Sequence, residues 1–226
     1  MNFKRDITFL FSLLLPFFVI VPLQAQVLEV SNLSNTDMGE PVVDSGNSYA
    51  ASFITGSSGT FTLTSASLWL YSPSTFDTSL VLSLYSNSPT TGPNTLLGTF
   101  TVDNPVNGSY QAFSFTPTSS LTLAASTQYW LGLSSSLPSG GAGTTSWSFT
   151  KTSSYTSNDG WMIDTATSSE MSFSPSWSTF AGSSAGGNTF RFSVTAIAAV
   201  PEPSVWTLLG LGCLGLVIFY RKRSMI

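Results

Sequence analysis

The sequence predicts an all-β protein whose body is an antiparallel β-sandwich of jelly-roll type. Three observations support this prediction. Apolar residues alternate with polar residues in many short runs, as in strands that turn one face to a core. Glycine, proline and asparagine separate these runs. No amphipathic helix of useful length occurs before the C-terminal segment. Several short strands joined by turn residues are typical of sandwiches and barrels.

The alternating runs follow one another closely from residue 48 onward. The predicted strands are residues 48–54, 61–63, 68–70, 80–84, 97–102, 110–115, 128–133, 146–150, 160–163 and 189–197. Turn residues lie between them at 56–59, 73, 87–93, 104–108 and 138–143. The alternation also predicts a buried set, consisting of Leu63, Leu68, Leu70, Leu82, Leu84, Phe100, Phe113, Phe115, Trp130 and Leu131.

The first 25 residues have the features of a secretory signal peptide. Lys4 and Arg5 precede an apolar run over residues 7–21, and Ala25 is a small residue suited to cleavage. An uncleaved N-terminal anchor is the alternative. Either interpretation predicts that the residues after this segment are exported.

The C-terminal segment, residues 204–220, is apolar and contains no ionisable group except the thiol of Cys213. As a helix it is roughly 25 Å long, at the short end of what crosses a bilayer core of about 30 Å. Arg221, Lys222 and Arg223 follow it and favour the cytoplasmic side. The sequence therefore predicts a transmembrane helix with the body outside, and a buried helix of a soluble domain is the alternative.

Pro201, Glu202 and Pro203 precede the apolar segment directly. Each proline removes a backbone donor and biases the residue before it away from helix, so a carboxylate is held on extended chain. Pro-Glu-Pro, a short transmembrane helix and an Arg-Lys-Arg end, in this order, resemble the C-terminal sorting signal called PEP-CTERM. The resemblance covers residues 200–226. It implies recognition by exosortase, a membrane-embedded processing enzyme of Gram-negative bacteria that export extracellular polysaccharide.

The predicted body, residues 26–199, carries a second resemblance. Residues 62–68, 81–86, 96–100 and 123–131 are similar to the bacterial surface modules called choice-of-anchor domains, with residues 190–194 as a last strand. The resemblance implies a β-rich exported module that occurs with different anchoring tails and has no general activity.

Composition excludes several classes of function. The chain has no histidine, and its one cysteine, Cys213, lies in the apolar C-terminal segment. Ser-His-acid and Cys-His catalysis and imidazole zinc sites are therefore excluded, as is a disulfide within the body. Between residues 26 and 203, two bases face ten acids. Without a basic face to neutralise phosphates, binding of nucleic acid is not expected.

Two groups of polar residues remain as candidates for chemistry. Asp37, Glu40 and Asp44 cluster early in the body, and the late group contains Asn158, Asp159 and Asp164. Such oxygen-rich loops can bind calcium, and paired acids can hydrolyse glycosides, but neither spacing matches an EF-hand or a known catalytic pattern. Ordinary solvated acids are the favoured interpretation. We therefore predict no catalytic residue, no metal ligand and no cofactor, with calcium as the alternative.

Trp147, Trp161 and Trp177 lie in a stretch rich in serine and glycine, where the alternation is weakest. Flat aromatic faces on loops can stack on sugar rings, whereas packing in the core is the commoner role of tryptophan. The sequence favours a non-enzymatic surface or matrix protein, and the resemblance of residues 200–226 to the sorting signal implies that an exosortase-type enzyme sorts it and that it is associated with exopolysaccharide or biofilm. Its expected path leads through the inner membrane to the cell envelope, the cell surface or the extracellular matrix. A carbohydrate-binding module, or less readily a glycan-hydrolysing one, is the alternative.

Overall fold

The computed structural model describes residues 26–72, 76–103, 108–164, 170–173, 177–179 and 189–199. Seventeen strands occur in these ranges. The first nine are β1 (Val27–Ser31), β2 (Val42–Val43), β3 (Ser48–Ile54), β4 (Phe61–Ser72), β5 (Val81–Ser88), β6 (Gly92–Val102), β7 (Ser109–Pro117), β8 (Leu121–Leu123) and β9 (Gln128–Ser134). The others are β10 (Thr145–Trp147), β11 (Phe149–Thr150), β12 (Thr156–Ser157), β13 (Met162–Ile163), β14 (Glu170–Phe173), β15 (Trp177–Thr179), β16 (Thr189–Phe190) and β17 (Phe192–Ala198).

The strands confirm the predicted all-β class, and every pairing between them is antiparallel. The main path of the large sheet is β12-β1-β17-β4-β7-β6-β5-β9-β3-β14-β15, and β11 and β16 form a separate pair. No helix occurs in the part of the chain that the structure describes.

The sheet wraps around the core as one nearly closed, barrel-like surface rather than as the two separate sheets of the predicted sandwich. Strand β6 explains the difference, because its residues 92–100 pair with β5 while residues 100–102 pair with β7. A single long strand thereby carries the hydrogen bonding from one side of the core to the other. Long strands that serve two neighbours in this way reduce the number of free edges.

Strand β4 shows how the sequence places side chains on two faces. Leu68, Leu70 and Ser72 are buried, while Trp69 and Tyr71 point to the outer face and are half-buried. The alternation shifts between Leu63 and Ala66, which are both buried although three positions apart. A β-bulge against β17 accounts for this shift, since Thr195 pairs with Ser65 and Ala196 with Leu63.

The predicted buried set is confirmed, because all ten side chains are buried. Nine of them belong to the main core. Trp130 lies on the opposite face of the sheet, where it packs with Ala50 and Tyr85 and donates its indole N–H to Asn87 Oδ1 at 2.8 Å. Alternation predicted that Trp130 is buried but not on which face, since its neighbours Tyr129 and Leu131 are buried as well.

Candidate functional site

The predicted sorting signal follows a firmly paired strand. Strand β17 lies between β1 and β4 and pairs with both. Ala199, the last described residue, donates its N–H to Thr60 O at 2.8 Å. The C-terminal segment therefore leaves a fixed point of the body rather than a loose end.

The start of β1 and the last residues of β17 lie at the same end of the barrel-like sheet. Val27 pairs with Ala196, and Leu28 pairs with Thr195. The same end includes the 55–60 loop, because Ala198 pairs with Phe61. We call it the tail end. The opposite end, where β4 reaches Ser72, is called the far end.

The predictions for Pro201, Glu202, Pro203, Arg221, Lys222 and Arg223 lie outside the described residues, as does the predicted signal peptide at residues 1–25. Within the described ranges, no helix is long and apolar enough to cross a membrane. The predicted transmembrane segment at 204–220 is beyond those ranges.

Trp147 and Trp161 are fully buried, and this corrects the prediction of glycan contact at both positions. Trp147 stacks on Phe190 at 4.5 Å between ring centroids and donates its indole N–H to Arg191 O at 3.0 Å. Trp161 stacks on Phe53 at 5.8 Å. A ring without exposed area cannot stack on a sugar, so both tryptophans are core residues.

Trp177 falls in β15, but its side chain lies outside what the structure describes. The glycan-contact prediction therefore stays a prediction for this residue alone.

The early acids do not converge on one point. Asp37 Oδ1 accepts hydrogen bonds from Gly39 N at 3.1 Å and from Ser148 Oγ at 2.8 Å. Asp44 Oδ1 accepts from Gly46 N at 2.8 Å and from Asn47 Nδ2 at 2.9 Å. Burial acts to raise the pKa of Asp44, but the hydrogen bonds from Gly46, Ser139 and Asn47 outweigh it and lower the pKa. These two carboxylates thus hold turns together.

The late acids are separated in the same way. Ser58 Oγ donates to Asp159 Oδ2 at 2.7 Å, whereas Gln128 Nε2 donates to Asp164 Oδ2 at 2.9 Å. Asn158 bonds to neither but donates its Nδ2 to Glu29 Oε2 at 3.2 Å. Across the ranges that the structure describes, no three acids or cysteines lie close enough together to hold a metal ion.

A different group of residues comes together on the outer face of β4 toward the far end. We call it the far-end aromatic cluster, and it consists of Glu40, Trp69, Tyr71, Tyr110 and Arg191. Tyr71 and Tyr110 are direct cross-strand partners, with ring centroids 4.5 Å apart and planes inclined at 31°. Tyr110 is 47% exposed, so this ring pair presents apolar surface to solvent.

Glu40 extends the cluster with a carboxylate that accepts the hydroxyl hydrogen of Tyr110. This hydrogen bond is the largest of the causes that raise the pKa of Tyr110 to about 12, since losing the proton would place two negative charges side by side. The other carboxylate oxygen, Oε2, has no hydrogen-bond donor among the described residues. This oxygen is buried, so its unused acceptor capacity is not open to solvent.

Arg191 closes the cluster on the side of Trp69. Its guanidinium carbon lies 4.1 Å from the centroid of the indole, in cation–π geometry. Nη2 donates to Leu33 O, and Nη1 donates to Ser148 Oγ at 3.4 Å. Burial lowers the pKa of Arg191, while the nearby Asp37 opposes the shift. Because this side chain is 5% exposed, the guanidinium acts mainly to fix the Trp69 ring.

Sequence reasoning missed the far-end aromatic cluster. The signal for it was present in Leu68-Trp69-Leu70-Tyr71, where large apolar groups occupy both faces of one strand. The convergence with Glu40 and Arg191 had no local signal, because it depends on strands far apart in the chain.

Comparison with known protein families agrees with the order of features at the C-terminus. Residues 199–223 match the model of the PEP-CTERM protein-sorting motif. No curated protein matches the chain.

The motif defines the class of this protein. It is an exported protein that is sorted to the cell surface, with exosortase as its processing enzyme. The matched residues begin at Ala199, which is the last residue that the structure describes and donates its N–H to Thr60 O.

Proposed function

We propose that this protein is a non-enzymatic component of the bacterial surface or extracellular matrix, delivered by exosortase and retained in an exopolysaccharide layer or biofilm. The match of residues 199–223 to the sorting motif carries this proposal. The body supports it in one further way. Four of its acids, Asp37, Asp44, Asp159 and Asp164, are each held by separate hydrogen bonds, as structural carboxylates are.

In this proposal the tail has three parts with separate tasks. Pro201, Glu202 and Pro203 are read by the processing enzyme, because the prolines keep the chain extended and expose the carboxylate. Residues 204–220 hold the protein in the inner membrane in transit. The basic end, Arg221, Lys222 and Arg223, stops transfer and fixes the orientation. The resemblance of the body to choice-of-anchor domains agrees with a module that depends on its tail for placement.

Two tail variants test this division of tasks. Glu202→Ala keeps the apolar segment and the basic end, so we expect the unprocessed chain to accumulate at the inner membrane. Simultaneous replacement of Arg221, Lys222 and Arg223 by serine keeps the recognition residues but weakens membrane retention. We expect this variant to escape sorting without accumulating at the inner membrane.

Length and cell fraction of each variant are followed by immunoblot beside the unmodified protein, in cells with and without the processing enzyme. Glu170→Ala, an acid of the body, is the control and should be processed normally. If Glu202→Ala is trimmed and delivered like the unmodified chain, the segment is a plain membrane anchor and the proposal fails.

A carbohydrate-binding role is the second candidate. Trp147 and Trp161 no longer support it, but the exposed Tyr110, which packs against the half-buried Tyr71, does.

A further inference from the structure

The far-end aromatic cluster has the shape of a contact surface for a sugar chain. Tyr110 is exposed but held against Tyr71, so its ring loses little freedom when another flat group stacks on it. Trp69 lies two positions before Tyr71 on the same face, and its orientation is fixed by Arg191. Rigid aromatic rings give contact area at low entropic cost.

Polar groups suited to sugar hydroxyls surround these rings. The Tyr110 hydroxyl gives its hydrogen to Glu40, and its oxygen keeps acceptor capacity at the edge of the exposed ring. On the other side of Trp69, the half-buried Ser67 pairs across the sheet with the exposed Ser114. Adjacent strands are about 4.8 Å apart, so Ser67 and Ser114 place two hydroxyl-bearing positions side by side on this face. Hydroxyl groups beside aromatic rings can bind the edge of a neutral sugar ring while the aromatic rings contact its face.

The net negative charge of the body favours neutral polysaccharides over anionic ones. Ten acids against two bases between residues 26 and 203 repel an anionic polymer. One of the two bases, Arg191, is buried and already engaged by Trp69, Leu33 and Ser148. An anionic chain would therefore meet Glu40 and Asp37 without a free cation of the cluster to pair with.

We propose that the far-end aromatic cluster is a binding site for a neutral polysaccharide. This inference rests on the proposed function, which places the exported body among extracellular glycans. The site lies at the end of the body that is opposite the tail, so a protein held by its tail presents it outward. Affinity at one such site is low, and many copies in a matrix multiply it.

The test measures binding of the full-length chain, purified in detergent micelles, to immobilised hydroxyethyl cellulose and dextran, with alginate as the anionic probe. We expect binding to one or both neutral polymers and not to alginate. Tyr110→Ala should weaken that binding about two- to tenfold, the loss expected from one stacked ring. Tyr110→Phe should retain most of it, because the ring stays.

A second variant blocks the surface without removing any contact of the fold. Ala112 is exposed and lies directly opposite Trp69, so Ala112→Glu places a charged side chain over the ring face. It should reduce binding as strongly as Tyr110→Ala. Leu96→Ala removes exposed apolar area from another part of the sheet and is the matched control. Melting curves of all variants are recorded to check that each is folded.

The outcomes separate this inference from the proposed function. Absence of binding to both neutral polymers, or stronger binding to alginate, overturns the inference. Equal binding by the unmodified chain, Tyr110→Ala and Ala112→Glu overturns it as well, since the binding then lies elsewhere. Processing of the same variants is followed by immunoblot. Normal trimming of Tyr110→Ala and Ala112→Glu, together with lost glycan binding, supports both the sorting role and the site. Normal trimming of Glu202→Ala overturns the sorting role alone.

Discussion

Glu29 shows at the scale of one residue how a bulge changes the chemistry of a side chain. The pairing of β1 with β17 shifts between Leu28 and Val30, and Glu29 is the residue left over. Its side chain is buried, with Asn158 Nδ2 as donor to Oε2 at 3.2 Å. Burial raises the pKa of Glu29, with the nearby Asp159 acting in the same direction, and the hydrogen bond from Asn158 offsets only part of the effect.

The raised pKa predicts that Glu29 costs stability at neutral pH. The folded protein holds the proton more tightly than the unfolded chain does, so the free energy of unfolding falls as pH rises through the folded-state pKa. Glu29→Gln removes the charge and keeps an acceptor for Asn158. We expect its Tm at pH 7.5 to be higher on the order of 2–4 °C, the shift that about 1 kcal/mol gives in a domain of this size.

Thermal melting at pH 7.5 and at about pH 3.5, below the usual range of a glutamate, checks this expectation. At the lower pH the two proteins should melt together, because both side chains are then neutral. Asp103→Asn changes an exposed acid and is the control, with little change expected at either pH. A lower Tm for Glu29→Gln at neutral pH, or a difference that does not depend on pH, would show that the charge is well accommodated.

Individual residues were predictable from the sequence where alternation and chemistry agreed. Leu68 and Leu70 lie on one face of a regular strand, and both are in the core as predicted. Trp147 and Trp161 were weighed as surface residues because serine and glycine surround them. They are buried because β10 pairs with β4 and because the 158–161 turn packs on the 55–56 loop, and neither contact has a local signal in the sequence.

At the scale of elements, the loop after β3 depends on close contact between two backbone segments. A Cβ atom at Gly56 would lie 2.3 Å from Asp159 O and 2.9 Å from Trp161 Cδ1. Gly56 O also accepts a hydrogen bond from Ser126 N at 2.9 Å, so the loop is held from a second direction. Only glycine fits at this crossing, because the first obstacle is backbone and cannot rotate away.

We therefore expect Gly56→Ala to destabilise the protein by about 2 kcal/mol or more, as overpacking of a rigid contact does. The measurement is urea unfolding followed by tryptophan fluorescence, since Trp161 lies beside the added methyl group. Gly46→Ala is the matched control, because its nearest neighbour is Asp44 Oδ1 at 3.4 Å, an ordinary contact. Equal urea midpoints for the two variants would mean that the 158–161 turn moves away from the added methyl group at little cost in free energy.

The same scale shows where prediction of elements failed. The strands β3, β5, β7 and β9 were predicted because each is seven to nine residues long, which is enough to show a run of apolar residues bounded by turn residues. The short strands β2, β8 and β12 were not predicted, since two or three residues carry no periodic signal. Strand β1 was overlooked for a different reason, because the bulge at Glu29 interrupts its alternation.

At the scale of the whole molecule, the pairing of β1 with β17 decides how the body stands relative to its tail. Ala199 is hydrogen-bonded to Thr60, so at most residues 200–203 separate the body from the apolar segment. Four extended residues reach about 14 Å at most. The ten steps from Phe61 to Tyr71 along β4 span about 33 Å. The far-end aromatic cluster is therefore kept well away from the point where the tail leaves.

The last prediction follows from this geometry and applies to the chain while its tail is in a bilayer, as the proposed function requires. Single cysteines are introduced at Ser57, in the 55–60 loop at the tail end, or at Ser45, which follows β2 at the far end. Both positions are exposed, and Cys213→Ser removes the native thiol.

The fluorescence of a fluorophore attached to each cysteine is then measured in nanodiscs whose lipids carry a quencher in the headgroup. Quenching should be strong at residue 57 and weak at residue 45, because the short connection keeps the tail end at the membrane surface and the length of β4 separates the other end from it. The same pair of labels in nanodiscs without quencher is the control for environment. Stronger quenching at residue 45 would mean that the body lies with its far end against the lipid, and the aromatic cluster would then face the membrane instead of the matrix.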